Sequence, residues 1–289
     1  MDFIIQPFGP SEYPPQLVEI PDPPTSLKRV GASIDPHGRF LAVVGSRTNT
    51  RYGADACEKL ILGLRGSDIT IVSGLALGID SIAHRSALKA GLKTIAFPGS
   101  GLGERVLYPA TNLSLAKEIL ANGGTLVSEY ANDFRATEWS FPRRNRLIAG
   151  IAQAVLIVEA ADKSGTLITA SLALDYNREV FAVPGPITSS NSLGTNLLIK
   201  QGSTPITRSE DILEFFGLVG ADQATERESE ISALTNDERT VYDLLIEPMS
   251  RDTIVATLDK PVHEINILIS ALEIKGVVKE ELGEVRRVS

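Results

Sequence analysis

The chain has 289 residues, enough for one large domain and one small one whose cores need no covalent staples. Hydrophobic residues make up 43% and charged residues 22%, with one cysteine, three scattered histidines and no long apolar run, which excludes a disulfide scaffold, a His/Cys metal centre and a transmembrane helix. The net charge of −8 excludes a uniformly basic surface, yet residues 221–289 hold 15 acidic and 8 basic side chains and leave residues 1–220 near neutral, with room for a local basic groove.

The N-terminus lacks the basic and apolar regions of a secretory signal, so a cytoplasmic location is expected. Seven prolines within the first 24 residues each remove a backbone donor and fix φ, which predicts an extended arm over residues 1–38. From Phe40 the texture changes. Short apolar runs at 40–45, 69–73, 93–97, 125–128, 154–159 and 179–183 read as strands buried on both faces. Amphipathic segments at 52–64, 79–90, 113–121, 143–152 and 167–177 alternate with them. This alternation predicts a doubly wound, Rossmann-like α/β domain over 39–217, with its ligand beyond the carboxyl ends of a parallel sheet.

A polar stretch at 218–232 reads as a linker. Residues 233–289 then show a capping box from Thr235 to Glu238, two further helical segments and a ribbon turning near Gly283, the pattern of a small winged-helix domain.

The strand-end loops are where function is expected. Gly45-Ser46-Arg47 combines close backbone approach with a guanidinium before a helix; it reads as an anion site or as an ordinary turn with an arginine on its rim. Ser73-Gly74-Leu75-Ala76-Leu77-Gly78 resembles a dinucleotide loop but lacks the G-x-G-x-x-G spacing and its acidic partner, so no nicotinamide cofactor is expected. Asp80 and His84, four residues apart on a helix, read as having a helix-stabilising or packing role rather than a catalytic one. The glycines at 99, 101 and 103 read as a turn.

In Phe141-Pro142-Arg143-Arg144-Asn145-Arg146, basic residues crowd a helix start against its dipole, which an anionic ligand would explain. The alternative is arginines paired with Glu138 and Glu159. Lys163-Ser164-Gly165-Thr166 offers an ammonium, two hydroxyls and free amides in one turn. No Walker motif, Ser-His-Asp order or Cys-His nucleophile is present, so no catalytic residue and no metal is assigned.

These loops, in order, resemble the DNA processing protein A family (DprA, also called Smf). The residues that carry the resemblance are Tyr13-Pro14, Gly45-Ser46-Arg47, Ser73 to Asp80 with His84, Tyr108-Pro109, Ser128-Glu129-Tyr130, Phe141 to Gly150, Lys163 to Ala170, Pro184-Gly185 and Gly194 with Asn196. The resemblance implies a non-enzymatic homodimer that binds single-stranded DNA and loads RecA on incoming DNA during natural transformation. By motif position it implies that Gly45, Ser46, Arg47, Ser73, Gly74, Arg144, Asn145, Arg146, Lys163, Ser164, Gly165 and Thr166 line a phosphate pocket. The family carries a basic residue after Tyr-Pro where this chain has Ala110, a contact that Arg105 or Lys117 would have to replace. The acidic C-terminal region favours protein contact over duplex binding. Two other readings stay open: a nucleotide-processing enzyme similar to the phosphoribohydrolases, and a sensor of small phosphates or nucleotides. Tyr108, Trp139 and Phe141 are candidates for base stacking or for core packing.

Overall fold

The computed structural model describes residues 3–162, 164–218, 234–245, 248–258, 260–275, 277–281 and 283–287. The candidate Lys163 and all but the first residue of the expected linker at 218–232 lie outside them. By internal contacts the chain divides into two units, Met1–Phe216 and Gly217–Ser289.

In the first unit the proline-rich segment is not the extended arm its composition suggests. It contributes β1 (Gln6–Phe8) and β2 (Leu27–Gly31), joined through a helical turn α1 (Pro15–Val18). Its prolines stand where a missing donor costs nothing: Pro15 opens α1 and Pro7 lies in the edge strand β1. The apolar residues between them, Phe8, Tyr13, Leu17, Ile20 and Leu27, are buried in the main core, and the Tyr13 hydroxyl donates to the Phe8 carbonyl at 2.9 Å. Burial of this apolar set is what ties the segment down.

The apolar runs then form β3 (Arg39–Val44), β4 (Ile69–Ser73), β5 (Thr94–Ala96), β6 (Thr125–Ser128), β7 (Ala154–Ile157), β8 (Glu179–Ala182) and the short β9 (Thr204–Pro205). The strand order is β1-β2-β6-β5-β4-β3-β7-β8-β9. Pairing is parallel from β6 across to β9 and antiparallel at β1–β2 and β2–β6, so the sheet is mixed. The direction of winding reverses at β3, which places the topological switch between β3 and β7.

The connecting helices are α2 (Arg51–Leu62), α3 (Ile79–Ala90), α4 (Leu113–Ala121), α5 (Ser140–Ile151), α6 (Gly165–Asp175), α7 (Leu193–Lys200) and α8 (Ser209–Phe215). Helix α2 packs on α3 and α3 on α4, while α5 packs on α6 and α1. Alternate residues of β3, Phe40, Ala42 and Val44, join Leu147, Ile148 and Ile151 of α5 in one core, as the two-residue period of a strand requires. Helix α5 begins at Ser140 rather than Arg143, because Pro142 is accommodated in a first turn, where its missing N–H costs little.

The second unit contains α9 (Asn236–Leu244), α10 (Arg251–Leu258) and α11 (Val262–Ile274), with β10 (Met249–Ser250), β11 (Val278–Glu281) and β12 (Glu284–Arg287) in the antiparallel order β10-β12-β11. Thr235 and Glu238 close the capping box at the start of α9, and the Lys275 ammonium donates to Glu238 at 2.7 Å. Val241, Ile254, Ile265, Ile269 and Val285 form its core. Among the described residues, no helix of either unit is long and apolar enough to cross a membrane.

Candidate nucleic-acid interface

The carboxyl edge of the sheet offers two neighbouring crevices. The first lies at the topological switch, where α2 follows β3 and a loop follows β7. Thr50 caps α2 by accepting from the Gly53 amide at 3.1 Å. Glu159, almost wholly buried, accepts the Thr50 amide at 2.8 Å and the Thr50 hydroxyl as well. The chain's own carboxylate thus takes the position at this helix start that an incoming anion would need.

The second crevice lies at the ends of β3, β4 and β5. Ser46 accepts from the Thr48 amide at 3.2 Å and so shapes its own loop. The next residue, Arg47, is exposed, with its guanidinium 4.9 Å from the centre of the Phe141 ring. Phe141 in turn lies 5.5 Å from the Tyr108 ring and flat enough on Gly99 that a Cβ there would meet it at 2.5 Å. Tyr108 is about half exposed. A cation, two rings and glycine backbone therefore share one rim, the elements that capture a phosphate and stack a base. Trp139, also half exposed, stands in a separate cluster with Tyr130 and Phe134.

The floor of this crevice is built from buried charge. Asp80 accepts the Gly74 and Ala76 amides at 3.0 and 3.3 Å. Arg144, 4% exposed, donates to the carbonyl of Gly74 at 2.6 Å and to that of Phe97, and its Nε donates to Asn145 at 3.2 Å. Burial lowers the Arg144 guanidinium to about 10, a shift that Asp80 opposes, so it stays charged at neutral pH. Burial pushes the Asp80 carboxyl up, while Arg144 and the two amides favour its charged form. His84 does not pair with Asp80. Its Nδ1 lies 2.7 Å from the Thr94 hydroxyl, and burial, followed by Arg144, lowers it to about 3, so the ring is a neutral core group.

The expected site residues therefore separate. Gly45, Ser46, Arg47, Gly74, Arg144 and Asn145 meet at the second crevice. Ser73 reaches it only through backbone, its hydroxyl being donated to Val43 at 2.7 Å. Arg144 bolts two strand-end loops together through Nη1, while its Nη2 makes no hydrogen bond among the described residues. Arg146 turns away altogether: it donates to Glu129 and, at 2.9 Å, to the Asp22 carbonyl, and it forms an ion pair with the Asp22 carboxylate at 3.2 Å. The internal partners of Arg143 and Arg146 are thus Glu129 and Asp22 rather than Glu138 and Glu159, and those of Arg144 are the Gly74 and Phe97 carbonyls. Burial raises the Glu129 carboxyl, and Arg146 and Arg143 oppose that. At α6, Ser164 caps the helix through the Thr166 amide at 3.1 Å and donates to the Thr166 hydroxyl, while Gly165 is exposed. Glycines 101 and 103 donate to the carbonyls of Phe134 and Asn132, which makes that loop a packed turn. Near Ala110, Lys117 is tied to Glu104 at 2.8 Å and Arg105 is exposed. The roles of Asp80, Glu129 and Glu159 escape sequence reasoning, since their partners are set by the fold.

Comparison with known proteins places this architecture. A family model described as DNA recombination-mediator protein A matches residues 5–217. Protein Smf of Escherichia coli K12 is 40% identical over 283 residues, covering 91% of this chain and 72% of its own. DNA processing protein DprA of Streptococcus pneumoniae is 42% identical over 204 residues, covering 71% of each chain. The crystal structure of S. pneumoniae DprA superposes with a TM-score of 0.68 at 39% identity, over 73% of this chain and 74% of that one. The DprA structure from Helicobacter pylori, described for its single-stranded DNA binding mode, gives a TM-score of 0.66 at 31% identity, over 75% of this chain and 98% of that one. The chain belongs to the DNA recombination-mediator protein A family.

Proposed function

We propose that this protein binds single-stranded DNA at the crevice beyond β3, β4 and β5, as a cytoplasmic, non-enzymatic mediator that loads RecA on incoming strands during transformation. The observation that carries the reading is Arg47, which is exposed and stacked on an aromatic ring, while Arg144 is buried between the loops it joins and Arg146 is spent on the chain itself. The likeness to H. pylori DprA supports it. In this reading, the backbone of Gly45 to Arg47 receives a phosphate, the Gly74 backbone is held in place by Asp80 and Arg144, Asn145 orients the wall, and Tyr108 and Phe141 stack a base. Ser164, Gly165 and Thr166 extend the track at the start of α6.

Glu159 weighs against the mononucleotide enzyme and the small-phosphate sensor, because it fills the switch-point crevice that such ligands use. A homodimer is supported by α6, which is apolar almost all round yet exposes Ile168 and Leu174, and by the exposed Leu193 and Leu197 of α7.

The test is fluorescence anisotropy of a labelled single strand and of the matching duplex over a salt series. Wild type is expected to prefer the single strand, and Arg47→Ala to bind it about tenfold more weakly, with a log–log salt slope shallower by about 0.7. Equal binding by wild type and R47A would remove this crevice from the account.

A further inference from the structure

We propose that Asp80 is the positioning residue of this edge: its inward-facing carboxylate holds the Gly74 to Gly78 loop in the conformation that sets the Arg47 loop for a single strand. This rests on the reading of the crevice as the single-strand site. Asp80 touches no ligand in it.

Between the two amides that Asp80 accepts lies Leu75, fully buried, with φ of +57°. A side chain other than glycine or asparagine in the left-handed region is strained, and such a conformation persists only where its surroundings over-determine it. Asp80 grips the loop from below on both sides of Leu75. Asn112, itself buried, grips it from the other side by donating to the Leu75 and Ala76 carbonyls at 2.8 and 3.2 Å. The side chain of a non-glycine residue at 74 has no room: a Cβ there would meet Asp80 Oδ2 at 2.6 Å and Arg144 Cζ at 2.7 Å.

The loop then transmits its position outward. Gly78 has φ of +75°, and a Cβ on it would meet the Ser46 carbonyl at 2.3 Å. The amide of Ile79 donates to that same carbonyl at 3.2 Å. A continuous line of contacts thus runs from the buried carboxylate, through strained backbone, to the residue that precedes Arg47. Such preorganisation raises affinity by lowering the ordering cost of binding.

The experiment compares the full chain with D80N, R47A and T94V by anisotropy of a labelled oligothymidylate over a salt series, with a melting curve for each. D80N is expected to bind about tenfold more weakly while keeping the wild-type salt slope, since no phosphate contact is removed. T94V, which loses a buried hydroxyl facing His84, is expected to melt lower without losing affinity. A folded D80N that binds like wild type overturns the proposal, and so does a loss of affinity in D80N and T94V in proportion to their melting temperatures. Failure of wild type to bind overturns the site itself; binding lost in R47A but kept in D80N overturns only the role of Asp80. Should D80N not fold, hydrogen exchange on wild type decides: the Gly74 and Ala76 amides are expected to be protected without DNA, and rapid exchange there refutes the preset loop.

Discussion

The two crevices at the carboxyl edge use the same materials and end in opposite states. At the β3–β7 switch, the start of α2 is met by Glu159, so the anion position is filled from within. One strand over, the buried cation Arg144 is matched by Asp80 and by two carbonyls, and the rim is left to an exposed arginine stacked on a ring. Charge near a strand end is therefore not evidence of a ligand until its internal partners are known. A helix start closed by the chain's own carboxylate has its Thr50 donors taken, whereas the neighbouring rim keeps an exposed cation.

This contrast can be broken at several points. The largest expected effect is at Arg144. Arg144→Ala leaves Asp80 buried without its counter-charge and unbolts two loops, which should cost about 3–5 kcal/mol by urea unfolding. A cost below about 1 kcal/mol would mean that the guanidinium faces solvent and is free for ligand.

Next comes His84. Burial holds its folded-state value near 3, below the 6.5 of an exposed ring, so its contribution to stability is present above 6.5 and is lost as pH falls toward 3. Between pH 6.5 and 5 this amounts to about 2 kcal/mol, seen as a slope in stability that His84→Gln removes. A slope unchanged in H84Q would place the ring in water.

The smallest effect is at Glu159. Glu159→Gln loses an acceptor for Thr50 and should cost about 1–2 kcal/mol of stability. Affinity for single strands should be unchanged, because the closed crevice takes no part in binding. A tenfold change in affinity would join the two crevices into one site.

Much of the architecture was legible in the residues. The runs at 69–73 and 125–128 match β4 and β6 residue for residue, and 79–90 matches α3, because parallel strands buried on both faces are continuously apolar and Gly78 and Gly91 bound the helix. The proline-rich segment was not legible, since proline at a helix start or sheet edge looks locally the same as proline in an arm. The motifs lie on loops that the fold gathers at the carboxyl edge of the sheet, but the direction of their side chains was not legible. Arg146 turns inward toward Asp22, 124 residues away, and Glu159 closes on Thr50 across 109 residues. Pairings at such separations leave no local pattern.

The most direct measurement is a crystal structure of the full chain with a short oligothymidylate. The account predicts a backbone phosphate within hydrogen-bond distance of the Arg47 guanidinium and the Gly45 to Arg47 amides, a base against Tyr108 or Phe141, and Glu159 still on Thr50. A phosphate at the start of α2 with Glu159 displaced, and Arg47 free of DNA, would contradict it.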